Sequence, residues 1–160
     1  MTLTVERTVI VQAAPERVLG AFFDPHDLAQ WWQAVRSVTI PRPLGTYAVE
    51  WATTDFRDEL LGRLGGALHG TVIDFRAGEE FFVGDAFWSP PDGDPIGPMA
   101  LVVRCAAHGG PHITNLSVRQ SGEDDGPRWR RYFEIVAAGW QRALAELKQH
   151  LDAESLRSRR

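Results

Sequence analysis

The sequence predicts an α+β domain in which an antiparallel sheet packs against one long C-terminal helix. Two observations carry this. Between Arg36 and His112, short β-rich runs recur at hairpin spacing, punctuated by glycine and proline. From Pro127 an apolar residue then recurs every three or four positions as far as Leu151.

Taken in order, residues 3 to 12 mix Leu3, Val5, Val9 and Val11 with threonines and read as a strand. "APERVLGAFF" follows, with Val18, Leu19, Phe22 and Phe23 at helical spacing and Pro15 suited to a first turn. A second short helix is read from "DPHDLAQWW", where Asp24 caps, Pro25 starts and Asp27 places an acid in the first turn. Two turns are too short to be stable without tertiary packing. The adjacent Trp31 and Trp32 point about 100° apart on a helix, so one is read as core and the other as facing something else.

"GTYAVEWA" alternates cleanly, with Tyr47, Val49 and Trp51 on one face. "ALHGTVIDF", "EEFFVGDAFW", "PMALVVRCAA" and "HITNLSVRQ" continue the pattern, giving a meander of about six or seven strands. Residues 53–66, "TTDFRDELLGRLGG", interrupt what would otherwise be a tight hairpin. The segment is expected to form a mobile lid, with Phe56, Leu60, Leu61 and Leu64 turned inward. The closing helix carries Trp129, Phe133, Val136, Trp140, Leu144, Leu147 and Leu151 on one stripe. At 1.5 Å per residue it is about 37 Å long, enough to cross a sheet. Residues 153–160 read as a basic, disordered tail.

Composition narrows the function classes. The chain has 160 residues, 44% hydrophobic and 24% charged, as for one ordinary globular domain. Its net charge of −4 argues against a nucleic-acid surface, which needs a basic face. No apolar run approaches a membrane span, and the N-terminus lacks the pattern of a secretory signal. The single cysteine, Cys105, sits in an apolar strand and reads as a buried, inert thiol. A cytoplasmic location fits these features.

Three motifs then narrow the fold: "APERVLGAFFDPHDLAQWW", "FWSPPDGDPIGPMALVV" and "GWQRALAELKQHLD". With the order of elements, they resemble the family named after the activator of the heat-shock protein 90 ATPase, in the SRPBCC (START-like) superfamily. The resemblance implies a START-like domain over residues 1–152 in the helix-grip fold. A curved antiparallel sheet would wrap around the long C-terminal helix, with two short helices after the first strand plugging one end. It also implies an interior cavity between sheet and helix, often for an apolar ligand. Some members are polyketide cyclases, some lipid carriers. Residues 53–66 exceed the connection expected from relatives and would border the cavity mouth.

On this reading the cavity is lined by Trp32, Tyr47, Trp51, Leu60, Leu61, His69, Asp85, Phe87, Met99, Trp129 and Phe133. The expected role is binding a small hydrophobic or aromatic molecule without catalysis, with no metal and no cofactor. A cyclase- or dehydratase-like enzyme is one alternative, and His69 with Asp85 is its only nominated acid/base pair. Both lie on strands whose same-face neighbours are mostly apolar, so a charge there must be paired or shifted. A chaperone-binding regulator is the second alternative. His108 and His112 flank a Gly-Gly-Pro turn and read as solvated hairpin residues. Arg128, Arg130 and Arg131 open the long helix, where the dipole disfavours cations; the acids of residues 123–125 are expected to compensate them.

Overall fold

A computed structural model describes residues 1–159. Strand β1 (Thr2–Val11) leads into two short helices, α1 (Pro15–Gly20) and α2 (Pro25–Trp31). Strands β2 (Ala34–Thr39) and β3 (Thr46–Trp51) follow, then a two-stranded flap of β4 (Arg57–Asp58) and β5 (Gly62–Arg63). Four long strands complete the sheet: β6 (Gly66–Arg76), β7 (Glu80–Ser89), β8 (Ile96–Ala107) and β9 (Thr114–Glu123). Helix α3 spans Pro127–Ser158. The seven-stranded sheet runs β1-β9-β8-β7-β6-β3-β2, antiparallel throughout, and this is the helix-grip arrangement.

The elements begin where local chemistry allows. The Asp24 carboxylate accepts from the Asp27 amide, capping α2, and Pro25 occupies its first turn. Helix α3 starts at Pro127 after Gly126, which sits at φ 123°, a conformation open to glycine. It runs seven residues beyond Leu151, the end expected from the apolar stripe, so residues 153–158 are helical rather than a disordered tail. Two ties hold this part of α3: Glu154 accepts from Arg17 of α1, and Asp152 accepts from the Gln12 amide.

A buried polar cluster joins all three helices. Arg17 makes a bidentate pair with Asp27 at 2.7 Å on both arms, and His150 Nε2 lies 2.7 Å from the same carboxylate. Asp27 is 3% exposed. Burial alone would raise its pKa, but hydrogen bonds from Arg17 and His150 outweigh that and hold it below the ordinary range.

The core lies between the inner sheet face and α3. Phe22, Tyr47, Phe81, Leu101, Leu116, Leu147 and Leu151 are almost completely enclosed. Cys105 is buried, and burial pushes its thiol up to about 12, so it stays neutral. At the start of α3 each arginine has a partner: Arg128 donates to the Asp94 carbonyl, Arg130 pairs with Asp124, and Arg131 with Asp58 and Glu134. Of the acids in residues 123–125, Asp124 does the expected compensating, while Glu123 holds the N-terminus.

One irregularity decides which side chains face inward. Between Val83 and Ala86 strand β7 carries one residue more than β8, and Asp85 there adopts φ 48°. Such a bulge reverses the in–out alternation. Phe81 and Val83 are buried before it, Ala86 and Trp88 after it.

Candidate functional site

Helix α2 ends in the paired tryptophans. Trp31 is 1% exposed and its indole Nε1–H donates to the Ala21 carbonyl at 2.8 Å. Trp32 forms the C-cap, stacks on Trp31, and meets Trp51 edge-on with centroids 5.2 Å apart. The Trp51 Nε1–H donates back to the Trp32 carbonyl. Trp140 on α3 lies 4.8 Å from the Trp32 ring. This aromatic group forms one wall of a pocket of ≈ 610 Å³.

The rest of the wall comes from four directions. Leu61, Leu64 and Gly65 come from the flap and the chain leaving it, Leu68 and Trp88 from β6 and β7, and Gln120 from β9. Helix α3 supplies Tyr132, Ile135, Val136, Gly139, Trp140 and Ala143, with exposed Arg142 and Glu146 at the rim. Trp88 stacks on Tyr132 at 5.0 Å and donates to the Gly65 carbonyl. The lining is predominantly apolar, with a few polar groups, as in small-molecule sites.

The flap is tied down rather than free. The buried Asp58 carboxylate accepts from the Leu60 and Leu61 amides and from Arg131 of α3 at 2.7 Å. Burial opposes its charge, but the Arg131 hydrogen bond and the two amides together lower its pKa. Arg63 forks onto Asp92 with both bonds at 2.8 Å, and that hydrogen bond holds the Asp92 carboxyl at about 2. The expected lid side chains divide. Leu61 is 2% exposed and faces the pocket with Leu64, whereas Phe56 and Leu60 point to solvent.

Of the residues expected from sequence, Trp32, Trp51 and Leu61 lie together on the pocket. The other eight lie elsewhere. Tyr47 is packed against Phe23 and Phe81 and donates to the Phe22 carbonyl. Met99 is buried with its sulfur 3.5 Å from Gln120 Nε2. Phe133 is buried edge-on to Tyr132. Trp129 packs over Gly122, where a Cβ would come within 2.8 Å of its ring. Leu60 is exposed.

His69, Phe87 and Asp85 stand off the pocket because their strands turn them to the outer face. Leu68 and Val72 take the inward positions of β6, so His69 is exposed, 3.1 Å from Ser89 Oγ and stacked on Phe87. The bulge places Asp85 and Phe87 outside the inward set. His69 and Asp85 are therefore not brought together in the pocket, and no acid/base pair forms from them.

Sequence reasoning missed Leu68, Trp88, Gln120, Tyr132 and Gly139 as wall residues and assigned Trp140 to core alone. Two signals pointed to some of them. Tyr132, Gly139 and Ala143 make a second helical stripe beside the first. In β9, Gln120 continues the inward series of Leu116 and Val118. Among the described residues Asp24, His26 and Asp27 bring ligand atoms within 4.8 Å of one another, yet Asp24 is the α2 cap and Asp27 is engaged by Arg17 and His150. No helix among the described residues is long and apolar enough to cross a membrane.

Comparison with known proteins adds the following. The family model described as Activator of Hsp90 ATPase homolog 1-like protein matches residues 12–152. No curated protein matches the chain. Among solved structures, a protein of Chromobacterium violaceum is similar at 25% identity, TM-score 0.64, over 93% of this chain and 96% of its own. A protein of Mycobacterium smegmatis is similar at 17% identity, TM-score 0.72, over 95% and 92%. DynU16, encoded in the dynemicin biosynthetic locus, is similar at 21% identity and TM-score 0.64, over 93% of this chain and 47% of its own.

Proposed function

The chain belongs to the family of Activator of Hsp90 ATPase homolog 1-like proteins, and from that premise we propose that it holds a small apolar, preferably aromatic, molecule in the pocket between flap, sheet and α3. One observation carries the reading: five of the six tryptophans in the chain line this single pocket. Indole rings offer large apolar faces that stack on flat ligands. A wall built from them is costly to leave wet, because apolar surface gains by leaving water. The pocket's size falls within the range of small-molecule sites.

Binding without chemistry is favoured over a cyclase- or dehydratase-like reaction. That alternative called for His69 and Asp85 inside the pocket, and both stand outside it.

The test uses Gly139, which lines the pocket and has open space where a Cβ would stand. Gly139→Leu fills that space while favouring the helix. Tetralin binding, measured by equilibrium dialysis, should weaken at least about tenfold in the variant, with the urea midpoint unchanged or raised. Equal affinity in both proteins, or no saturable binding of either tetralin or its ketone α-tetralone to the wild type, would sink the reading.

A further inference from the structure

The polarity of a hydrogen-bond chain inside the pocket leaves one donor over. Trp140 Nε1–H can only donate, and it donates to Gln120 Oε1 at 2.8 Å. That contact fixes the amide: its oxygen faces the indole, so its nitrogen faces the other way. Gln120 Nε2 then donates to the Tyr132 hydroxyl oxygen at 3.2 Å and lies 3.5 Å from Met99 Sδ. Tyr132 therefore acts as acceptor towards Gln120, and its own O–H must donate elsewhere. Among the described residues nothing accepts it. Yet Tyr132 is only 6% exposed, and both it and Gln120 line the pocket.

We propose that Tyr132 is the specificity-determining donor of this pocket, and that its hydroxyl reads one hydrogen-bond acceptor, a carbonyl or ether oxygen, on an otherwise apolar ring ligand. The inference rests on the apolar-ligand reading above and adds to it which polar group the ligand carries. A buried polar group left unpaired is costly, so a ligand lacking the acceptor is disfavoured against one that has it. Burial also drives the phenol pKa upward, with the Gln120 hydrogen bond only partly opposing it. The group stays protonated and remains a donor. Trp88, stacked on the Tyr132 ring, and Gln120, bonded to its oxygen, keep the hydroxyl aimed. Gln120 and Trp140 are positioning residues.

Two probes of nearly equal shape separate the possibilities: tetralin, and α-tetralone, which adds one carbonyl oxygen. Wild-type protein should bind α-tetralone about three- to tenfold tighter than tetralin beyond their difference in water-to-octanol transfer, the range for one neutral hydrogen bond. Tyr132→Phe should abolish that preference while leaving tetralin affinity within about twofold, which also shows that the pocket is intact. Gln120→Leu, which removes the orienting amide, should reduce the preference without reversing it. A wild-type preference that survives in Tyr132→Phe, or equal corrected binding of both probes to the wild type, overturns the donor assignment and leaves the apolar-ligand reading standing. Failure of both probes to bind wild type overturns the apolar-ligand reading, and the donor assignment with it.

Discussion

The rings of Trp31 and Trp32 stack face to face, with centroids 4.9 Å apart and planes 6° from parallel. Neighbours on a regular helix diverge, but Trp32 stands at the C-cap with φ −110° and ψ 1°, followed by Gln33 at φ 60°. Its ring lies back over Trp31, one face on core and the other side towards Trp51 and Trp140. The pair thus couples the enclosed plug of α2 to the pocket wall.

Removing Trp140 should damage the aromatic wall severely. It is 4% exposed, touches Trp32 and caps Gln120 Oε1. Trp140→Ala should cost about 3–5 kcal/mol, the usual range for core aromatics, read from the urea midpoint and slope. A loss below roughly 1 kcal/mol would place this face of α3 outside the core.

Gly139→Ala should do the reverse. The added methyl meets no atom within 4 Å outside the helix's own backbone, so only the propensity gain remains. An increase of about 0.5–1 kcal/mol is expected in chemical denaturation. A clear destabilisation would show that the space is filled.

Asp27 anchors the three-helix cluster, so Asp27→Asn should weaken it. Arg17 keeps partial contact with water, which limits the loss. A cost of about 2 kcal/mol is expected from equilibrium unfolding at neutral pH. The difference between variant and wild type should shrink in acid, because a carboxylate with lowered pKa contributes stability above its unfolded pKa and loses it as pH falls through the folded one. A gap that widens below pH 4 would contradict the sign of this linkage.

The flap should report acid in the same direction. Leu60 and Leu61 amides donate to Asp58, whose pKa lies below the ordinary 3.8. In an NMR titration both amide resonances should move together, with a midpoint under that value. The Arg63–Asp92 tie should persist to about pH 2. Arg131→Gln should raise the Asp58 midpoint, since it removes the strongest of the lowering contacts. Independent midpoints for the two amides would mean that they do not share Asp58.

His69→Gln and Asp85→Asn should leave tetralin binding and stability essentially unchanged, each within about 0.5 kcal/mol, as for exposed positions. A tenfold loss of binding in either variant would return these residues to the site.

The fold was legible because its signals are periodic. The stripe of α3 and the alternation of β3, β7 and β8 each span enough residues to outlast local exceptions. The pocket was less legible because its membership turns on single-residue events. One extra residue in β7 exchanges Phe87 for Trp88, and a carboxylate turn at Asp58 puts Leu60 out while Leu61 stays in. Neither event disturbs hydropathy averaged over a window. Tyr132 lay one position from the stripe residue Phe133, and only depth in three dimensions separates wall from core there.

Helix α3 divides its labour along its length. Towards its start, Tyr132, Val136 and Gly139 face the pocket, whereas Leu147 and Leu151, two turns and more further on, are sealed in the core, and Glu154 clasps α1. Ligand contact and architectural integrity therefore overlap at Trp140 and part company on either side of it. Redesign for a different guest has a natural place to begin: Ile135, Val136 and Gly139 can be varied as a set, while Phe133, Trp140 and the C-terminal turns serve as their unchanging mount.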